Sequence, residues 1–162
     1  MLTQERLKEL LNYNPDTGVF TWKVTGYNRV AGGKAGAITT RGYVRIPVNR
    51  RMYQASHLAY FYLTGKLPIA VIDHIDRDTS NNSWNNLRAA SIAENSHNRK
   101  VPWTNKSTGI KGICLSRGGY NCKIRSKGIT YRKYFTRDKL DDAIHWTTTM
   151  RNHLHKEFAN HG

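Results

Sequence analysis

Residues 71–100, VIDHIDRDTSNNSWNNLRAASIAENSHNRK, combine side chains that bind a hard cation with one that transfers a proton. Asp73 and His74 end an apolar run, and Asn95 lies early in a helix predicted to begin at Ser91. Mg²⁺ prefers oxygen ligands and keeps several waters, so one carboxylate and one amide oxygen suffice beside phosphate oxygens. Asp73 and Asn95 are therefore predicted to bind Mg²⁺.

The imidazole of His74, next to a predicted metal ligand, can deprotonate water near neutral pH. Asn86 carries an amide that can accept or donate a hydrogen bond and so fix the imidazole tautomer. A cation and a base for water are what phosphodiester hydrolysis requires. Two alternatives stay open: His97 replaces Asn95 as ligand if the helix is shifted by two residues, or the segment has no chemistry.

The charge of the chain indicates a polyanionic partner. Lys and Arg number 26 against 11 acids, which gives a net charge of +15 at pH 7. Residues 17–72 hold eight Lys or Arg and residues 99–137 hold eleven, with no acid in either block. Two such surfaces are typical of a protein that binds a polyanion, and a highly soluble cationic protein is the alternative. Double-stranded DNA is the expected polyanion, with structured RNA as a rival. No apolar run could span a membrane and no signal peptide is present, so a cytoplasmic protein is expected.

The elements that must position these residues are predicted from periodicity, caps and turns. Ser91-Ile92-Ala93-Glu94 fits a capping box that begins a helix, and Pro102 disfavours helix at Val101. Asn81 and Asn82 are interpreted as loop residues, and His57 as a packed core histidine. The first helix is predicted after Thr3, carrying Leu7, Leu10 and Leu11, and another over 55–63. A last helix is predicted from about Asp138, with an apolar stripe of Leu140, Ala143, Ile144, Thr147, Met150, Leu154 and Phe158. The strands are predicted over 19–24, 43–48, 71–74, at Ile113, over 120–125 and over 129–135.

Three short motifs resemble those of the HNH nucleases, in particular the phage-type homing endonucleases. They are Asp73-His74-Ile75, Asn86-Leu87-Arg88, and Glu94-Asn95 with Asn98. The resemblance implies a ββα-metal finger in which Asp73 and Asn95 bind Mg²⁺ or Mn²⁺, His74 is the base and Asn86 orients it. Arg88 and Asn98 are supporting residues. The stretch 53–60 and the Gly-Lys-Leu-Pro at 65–68 resemble the segment that precedes this finger in the same enzymes.

The C-terminal part resembles the plant ethylene-response-factor (APETALA-type) DNA-binding domain, on residues 109–113, 120–125, 131–135 and 155–159. That resemblance implies a three-stranded sheet in the major groove, backed by one helix. Alternation along 120–125 independently turns Ile124 toward the helix and Lys123 and Arg125 away from it. The predicted DNA-binding residues are Lys111, Arg117, Tyr120, Lys123, Arg125, Tyr131 and Arg132.

The sequence thus predicts an α+β protein, a ββα-metal HNH nuclease domain followed by a small three-stranded antiparallel sheet packed on one helix. The nuclease domain is expected over 1–101 with its core at about 70–100, the linker over 102–108 and the DNA-binding domain over 109–162. The expected function is site-directed DNA cleavage by a phage homing endonuclease in the infected host cell, as monomer or homodimer. A non-catalytic DNA-binding regulator that retains the fold is the alternative.

Overall fold

A computed structural model describes residues 2–98 and 107–161 of the chain. Its contacts cluster into two compact units, Met1–Ser91 and Ile92–Gly162. The predicted linker over 102–108 lies mostly outside the described residues, so the predicted domain bounds stay a prediction. In residues 2–98 and 107–161, no helix combines the length and the apolar composition that crossing a bilayer requires.

The first unit is a mixed α/β body built from two helices and three small antiparallel sheets. Its helices are α1 (Gln4–Leu10) and α2 (Ala55–Thr64). The sheets are β1 (Leu11–Tyr13) with β2 (Phe20–Trp22), then β3 (Ala37–Ile38), β4 (Val44–Val48) and β5 (Arg51–Gln54) in that order, and finally β6 (Val71–His74) with β7 (Leu87–Ala90). Leucines of α1 and α2 and aromatic residues of β1 and β2 form one hydrophobic core.

The first helix begins as the sequence predicts, but it ends earlier. The Thr3 hydroxyl accepts a hydrogen bond from the Arg6 amide, which is the expected N-cap. Leu11, which the sequence predicts as part of this helix, has an extended backbone and pairs with Trp22. Pairing with β2 therefore overrides the helical preference of this leucine.

The turn after β1 packs against the loop that follows β6. Gly18 has a φ of 71°, and a Cβ at this position would lie 2.2 Å from the carbonyl carbon of Asn82. The Tyr13 hydroxyl donates to the Asn82 carbonyl at 2.8 Å. Only glycine fits this close approach, because any side chain would displace the backbone of the loop. The N-terminal turn thus fixes the position of Asn82.

The second unit contains the three strands and the long helix that the sequence predicts. The strands β8 (Ile113–Leu115), β9 (Gly119–Ser126) and β10 (Ile129–Thr136) form an antiparallel sheet with β9 in the centre. Helix α4 (Leu140–His155) packs on this sheet, and a short helix α3 (Ile92–His97) belongs to the same unit. The core of the unit is built on Ile113, Cys122 and Ala143.

The buried face of α4 differs from the predicted apolar stripe. The stripe includes Met150 and Leu154, which are only partly buried, whereas Arg151 and His155 are buried. Arg151 Nη2 donates to the Lys111 carbonyl at 2.6 Å, and His155 Nε2 lies 3.1 Å from the Arg125 carbonyl. Polar side chains can occupy an interior when their polar atoms find such partners.

Candidate active site

The hairpin of β6 and β7 positions Asp73 and His74 side by side at the end of a strand. Asp73 lies opposite Arg88 and His74 opposite Leu87 in the register of the two strands. Both side chains are largely withdrawn from water, since each residue is only 4% exposed. A carboxylate and an imidazole are stable in such a place only with polar partners, and each of them has one.

Asp73 is paired with Arg88 across the hairpin. Arg88 Nε and Nη2 lie 2.9 and 2.8 Å from the same carboxylate oxygen, Oδ2. The guanidinium is itself largely buried, with 14% of its side chain exposed. Charge-assisted hydrogen bonds of this kind are stronger than those between neutral groups, so Arg88 fixes the position of the Asp73 carboxylate.

His74 is held by Asn82 from the loop between β6 and β7. The two side chains meet at His74 Nε2 and Asn82 Oδ1, 3.2 Å apart. The Asn82 amide nitrogen donates to the Ser80 carbonyl at 3.0 Å, and this second bond assigns the oxygen to the face toward His74. Because an amide oxygen only accepts, Nε2 carries the proton, and Nδ1 is the basic nitrogen of the neutral ring.

Asn82 is buried through contacts with the N-terminal turn. The residue is 2% exposed, and its carbonyl accepts the hydrogen bond from the Tyr13 hydroxyl. Burial raises the pKa of Tyr13 to about 12, so the phenol remains a neutral donor throughout the physiological range. The sequence predicts Asn82 only as a loop residue, because nothing in an asparagine pair distinguishes a buried amide from an exposed one.

Asn86 does not make the predicted hydrogen bond to the His74 imidazole. Its amide nitrogen donates to Asp76 Oδ1 at 2.9 Å and to the Asn81 carbonyl at 2.8 Å, and its oxygen accepts from the Asp76 amide at 3.0 Å. These bonds use both amide hydrogens. Asn86 therefore closes the loop that carries Asn82.

Asp76 and Asp78, the two acids of the loop between β6 and β7, belong to the same network of hydrogen bonds as Asn86. Asp76 accepts hydrogen bonds from the Asp78 amide and the Asn81 side chain at 2.8 and 2.7 Å. Burial acts to raise the pKa of Asp76, but hydrogen bonds from Asn81, Asp78 and Asn86 outweigh it, and the pKa is lowered. Hydrogen bonds from Ser80 lower the pKa of Asp78. Two of the acids in this segment thus organise the loop.

Replacing Asn86 with alanine is expected to lower the free energy of unfolding by about 1–3 kcal/mol, because Asp76 and Asn81 lose their partner. Urea unfolding followed by tryptophan fluorescence measures this change. Asn85→Ala, an exposed neighbour, is the matched control and should unfold as the wild type does. Equal midpoints for the two variants would show that the loop closure contributes nothing to stability.

Two further side chains, those of Tyr43 and His57, lie near His74, and the sequence does not predict that either is a neighbour. The Tyr43 ring lies 6.2 Å from the imidazole in an edge-on arrangement, with 66° between the planes. His57, on α2, is half-buried rather than fully packed in the core. Burial lowers the pKa of His57, and the nearby charge of His74 lowers it further. Both contacts join segments that are distant along the chain.

Residues 53–97, which include α2, the hairpin of β6 and β7, and α3, match the HNH endonuclease family. Protein 3.8 of Escherichia phage T7 is 37% identical to the chain over 90 residues, which cover 54% of this chain and 72% of that protein. The chain carries an HNH endonuclease domain at residues 53–97 and belongs to the same family as Protein 3.8. No solved structure matches the chain. The HNH domain supports nuclease activity and implies binding of DNA.

The third part of the HNH motif lies on α3, in the second unit. Asn95 is half-buried there, and Asn98 directly after the helix is 6% exposed. The Asn98 carbonyl accepts a hydrogen bond from the Asn160 side chain at 2.6 Å. Pairing of Asn95 with Asp73 at one cation therefore remains a prediction from the HNH resemblance.

The donor set of the HNH motif suits a hard cation. Among the described residues no three His, Cys, Asp or Glu side chains converge on one point. Asp73 and Asn95 instead offer carboxylate and amide oxygens, the ligand types that Mg²⁺ and Mn²⁺ prefer.

The predicted DNA-binding residues fall on both faces of the second unit's sheet. Lys123 and Arg132 lie directly opposite each other, and Arg125 lies two positions along β9, all exposed on the face away from α4. Tyr120 packs against the core, and Tyr131 pairs with the buried Ile124. The two tyrosines therefore lie on the opposite face from the three basic residues.

The other two predicted contacts lie outside the strands. Arg117 is exposed in the turn between β8 and β9. The ammonium group of Lys111 donates to the His97 carbonyl at 2.7 Å, at the C-terminal end of α3. Sequence alone gives no indication of this partner, because the two residues lie 14 positions apart. His97 is the last residue of α3, whereas Lys111 lies just before β8.

Proposed function

We propose that the chain is a metal-dependent DNA endonuclease that hydrolyses phosphodiester bonds with His74 as general base and Asp73 as metal ligand. The observation that carries this proposal is the buried pair at the end of β6, with Arg88 on the carboxylate and Asn82 on the imidazole. Its match to the HNH family supports the same chemistry. The cation is Mg²⁺ or Mn²⁺.

In this proposal His74 accepts the proton of the attacking water at Nδ1, because the bond to Asn82 keeps the other ring proton on Nε2. Asp73 and Asn95 hold the cation, with His97 as the alternative ligand to Asn95. When bound, the cation stabilises the charge that develops on the leaving 3′ oxygen. Arg88 supports Asp73, Asn86 supports the loop, and Asn98 supports α3.

We further propose that the exposed face of the three-stranded sheet binds duplex DNA. Lys123, Arg125 and Arg132 present three positive charges on one face of two neighbouring strands. A small antiparallel sheet fits the major groove, where an arginine recognises guanine through two hydrogen bonds. The resemblance to the APETALA-type domain supports this use, with Tyr120 and Tyr131 as supports of the sheet rather than contacts.

Arg125→Ala in the full-length chain should relax site preference by about 1–3 kcal/mol if the guanidinium contacts a base. If the guanidinium contacts only phosphate, binding should weaken evenly across sequences and its salt dependence should become shallower. Competition gel shifts at several salt concentrations separate these results. Arg137→Ala, an exposed arginine in the turn after β10, is the control. Unchanged affinity in Arg125→Ala would remove the sheet face from the proposal.

A phage homing endonuclease that acts in the infected bacterial cell is the biological role that we propose. The similarity to Protein 3.8 of phage T7 supports a phage context. One active site cuts one strand per encounter, so a monomer should nick and a homodimer should break both strands. Supercoiled phage DNA incubated with the purified protein, with and without Mg²⁺, tests the function: relaxed circles indicate nicking and linear DNA indicates double-strand cleavage. Binding without any Mg²⁺-dependent cleavage would favour a DNA-binding regulator instead.

A further inference from the structure

Helix α3 cannot maintain its own conformation. It has six residues, and none of them is buried. Isolated helices of this length are unstable in water because nucleation costs more than the few hydrogen bonds return. The helix that carries Asn95 therefore depends on contacts from other elements of its unit.

Three side chains of the second unit hold the C-terminal end of α3. Lys111 Nζ donates to the His97 carbonyl at 2.7 Å, and Asn160 Nδ2 donates to the Asn98 carbonyl at 2.6 Å. The His155 ring stacks on the His97 ring, with 3.6 Å between centroids and 3° between planes. The last carbonyls of a helix lack partners within it, and a cation at this end also interacts favourably with the helix dipole.

Lys111, His155 and Asn160 are themselves held in place by hydrogen bonds or by burial. Arg151, 3% exposed, donates through Nη2 to the Lys111 carbonyl at 2.6 Å, so it fixes the backbone from which the lysine extends. His155 Nε2 donates to the Arg125 carbonyl on β9 at 3.1 Å. Asn160 is also buried, at 9% exposure. The contacts thus connect α3 to α4 and to the central strand of the sheet.

We propose that Lys111, His155 and Asn160 are positioning residues of the nuclease centre, which hold the metal-binding part of α3 in place. The inference rests on the proposed function and deepens it, because the unit that presents Arg125 to DNA also carries the helix with Asn95. The second unit then contributes both to recognition and to catalysis. Lys111 acts on α3 and is not a DNA contact.

The experiment uses the full-length chain with Lys111→Met, Asn160→Ala and, as the conservative replacement, Lys111→Arg. Calorimetric titration with Mn²⁺ alone should show affinity reduced about 10–100-fold in the first two variants, as for other residues that orient metal ligands. Amide hydrogen exchange in α3 should be faster in both. Lys111→Arg keeps a cationic donor and should behave almost as the wild type does.

Lys123→Met is the matched control, because this lysine lies exposed on the outer face of β9. It should weaken DNA binding while Mn²⁺ affinity and exchange in α3 stay unchanged. Lys111→Met should show the reverse pattern, with DNA affinity in EDTA within about twofold of the wild type and slower cleavage at saturating DNA. Thermal unfolding of each variant establishes that the chain remains folded.

Unchanged Mn²⁺ affinity and unchanged exchange in both Lys111→Met and Asn160→Ala would overturn the inference. A wild-type chain that binds no Mn²⁺ would also overturn its metal part. The proposed function fails in a different way: the wild type would bind Mn²⁺ and DNA but leave supercoiled DNA uncut. The two outcomes are distinguishable because exchange and Mn²⁺ titration need no cleavage.

Discussion

Replacing His74 with alanine is expected to lower the rate of DNA cleavage by about 10²–10⁴-fold, the usual contribution of a positioned general base. Binding of DNA should be unchanged, because His74 is 4% exposed and cannot contribute to an electrostatic surface. Cleavage of supercoiled DNA at saturating enzyme measures the first quantity, and gel shifts in EDTA measure the second. Loss of cutting with binding retained is the result that the proposed mechanism requires.

Two other variants are needed to interpret that result. His145→Ala removes an exposed histidine of α4 and should cut DNA as the wild type does. Asn82→Ala keeps the base but removes its hydrogen-bond partner, so we expect an intermediate loss of rate. If His74→Ala and His145→Ala cut equally well, His74 is not the base. If Asn82→Ala cuts DNA at the wild-type rate, the orientation of the imidazole does not depend on this amide.

Replacing Asp73 with asparagine is expected to reduce cleavage to the level seen when EDTA removes the cation. The amide keeps the shape of the side chain but removes the charge that binds a hard cation. A metal contributes several kcal/mol to stabilisation of the transition state, which corresponds to a loss of roughly 10²–10³-fold or more. Cleavage rates across an Mg²⁺ titration measure the loss, which added Mg²⁺ should not reverse.

The Asp73→Asn variant also leaves the largely buried Arg88 without its carboxylate. Breaking a buried ion pair from one side costs about 3–5 kcal/mol, so a loss of activity alone could reflect unfolding. The double variant Asp73→Asn with Arg88→Met removes both charges and should regain much of the stability. It should remain inactive. A double variant that is stable and cuts DNA would exclude Asp73 as a ligand.

The order of residues along the chain was sufficient to predict the family and most of the elements around the site. Three local patterns carried the prediction: Asp73-His74 at the end of an apolar run, Asn86-Leu87-Arg88 after a polar loop, and Asn95 on a capped helix. Local patterns can be predicted because strand ends, turns and helix caps depend on residues a few positions apart. The three strands and the long helix near the C-terminus follow the same rule and are confirmed.

Partners between distant residues were decided only by the tertiary structure. Asn82 is a loop asparagine in the sequence, but Tyr13, 69 positions earlier, buries it beside His74. Asn86 binds the loop instead of the imidazole because Asp76 and Asn81 already use its amide hydrogens. Neither outcome has a periodic or spacing pattern, since each depends on which elements pack together.

In the second unit, too, local geometry was predictable and contacts between distant residues were not. Alternation predicts that Lys123 and Arg125 share a face, because strand geometry is local. It does not predict that Lys111 binds α3 or that Arg151 is buried, since a long cationic side chain suits solvent equally well. Burial of a charged group becomes favourable only when partners distant along the chain accept its hydrogen bonds, as the Lys111 carbonyl and His161 Nδ1 do for Arg151. That convergence is a property of the folded chain.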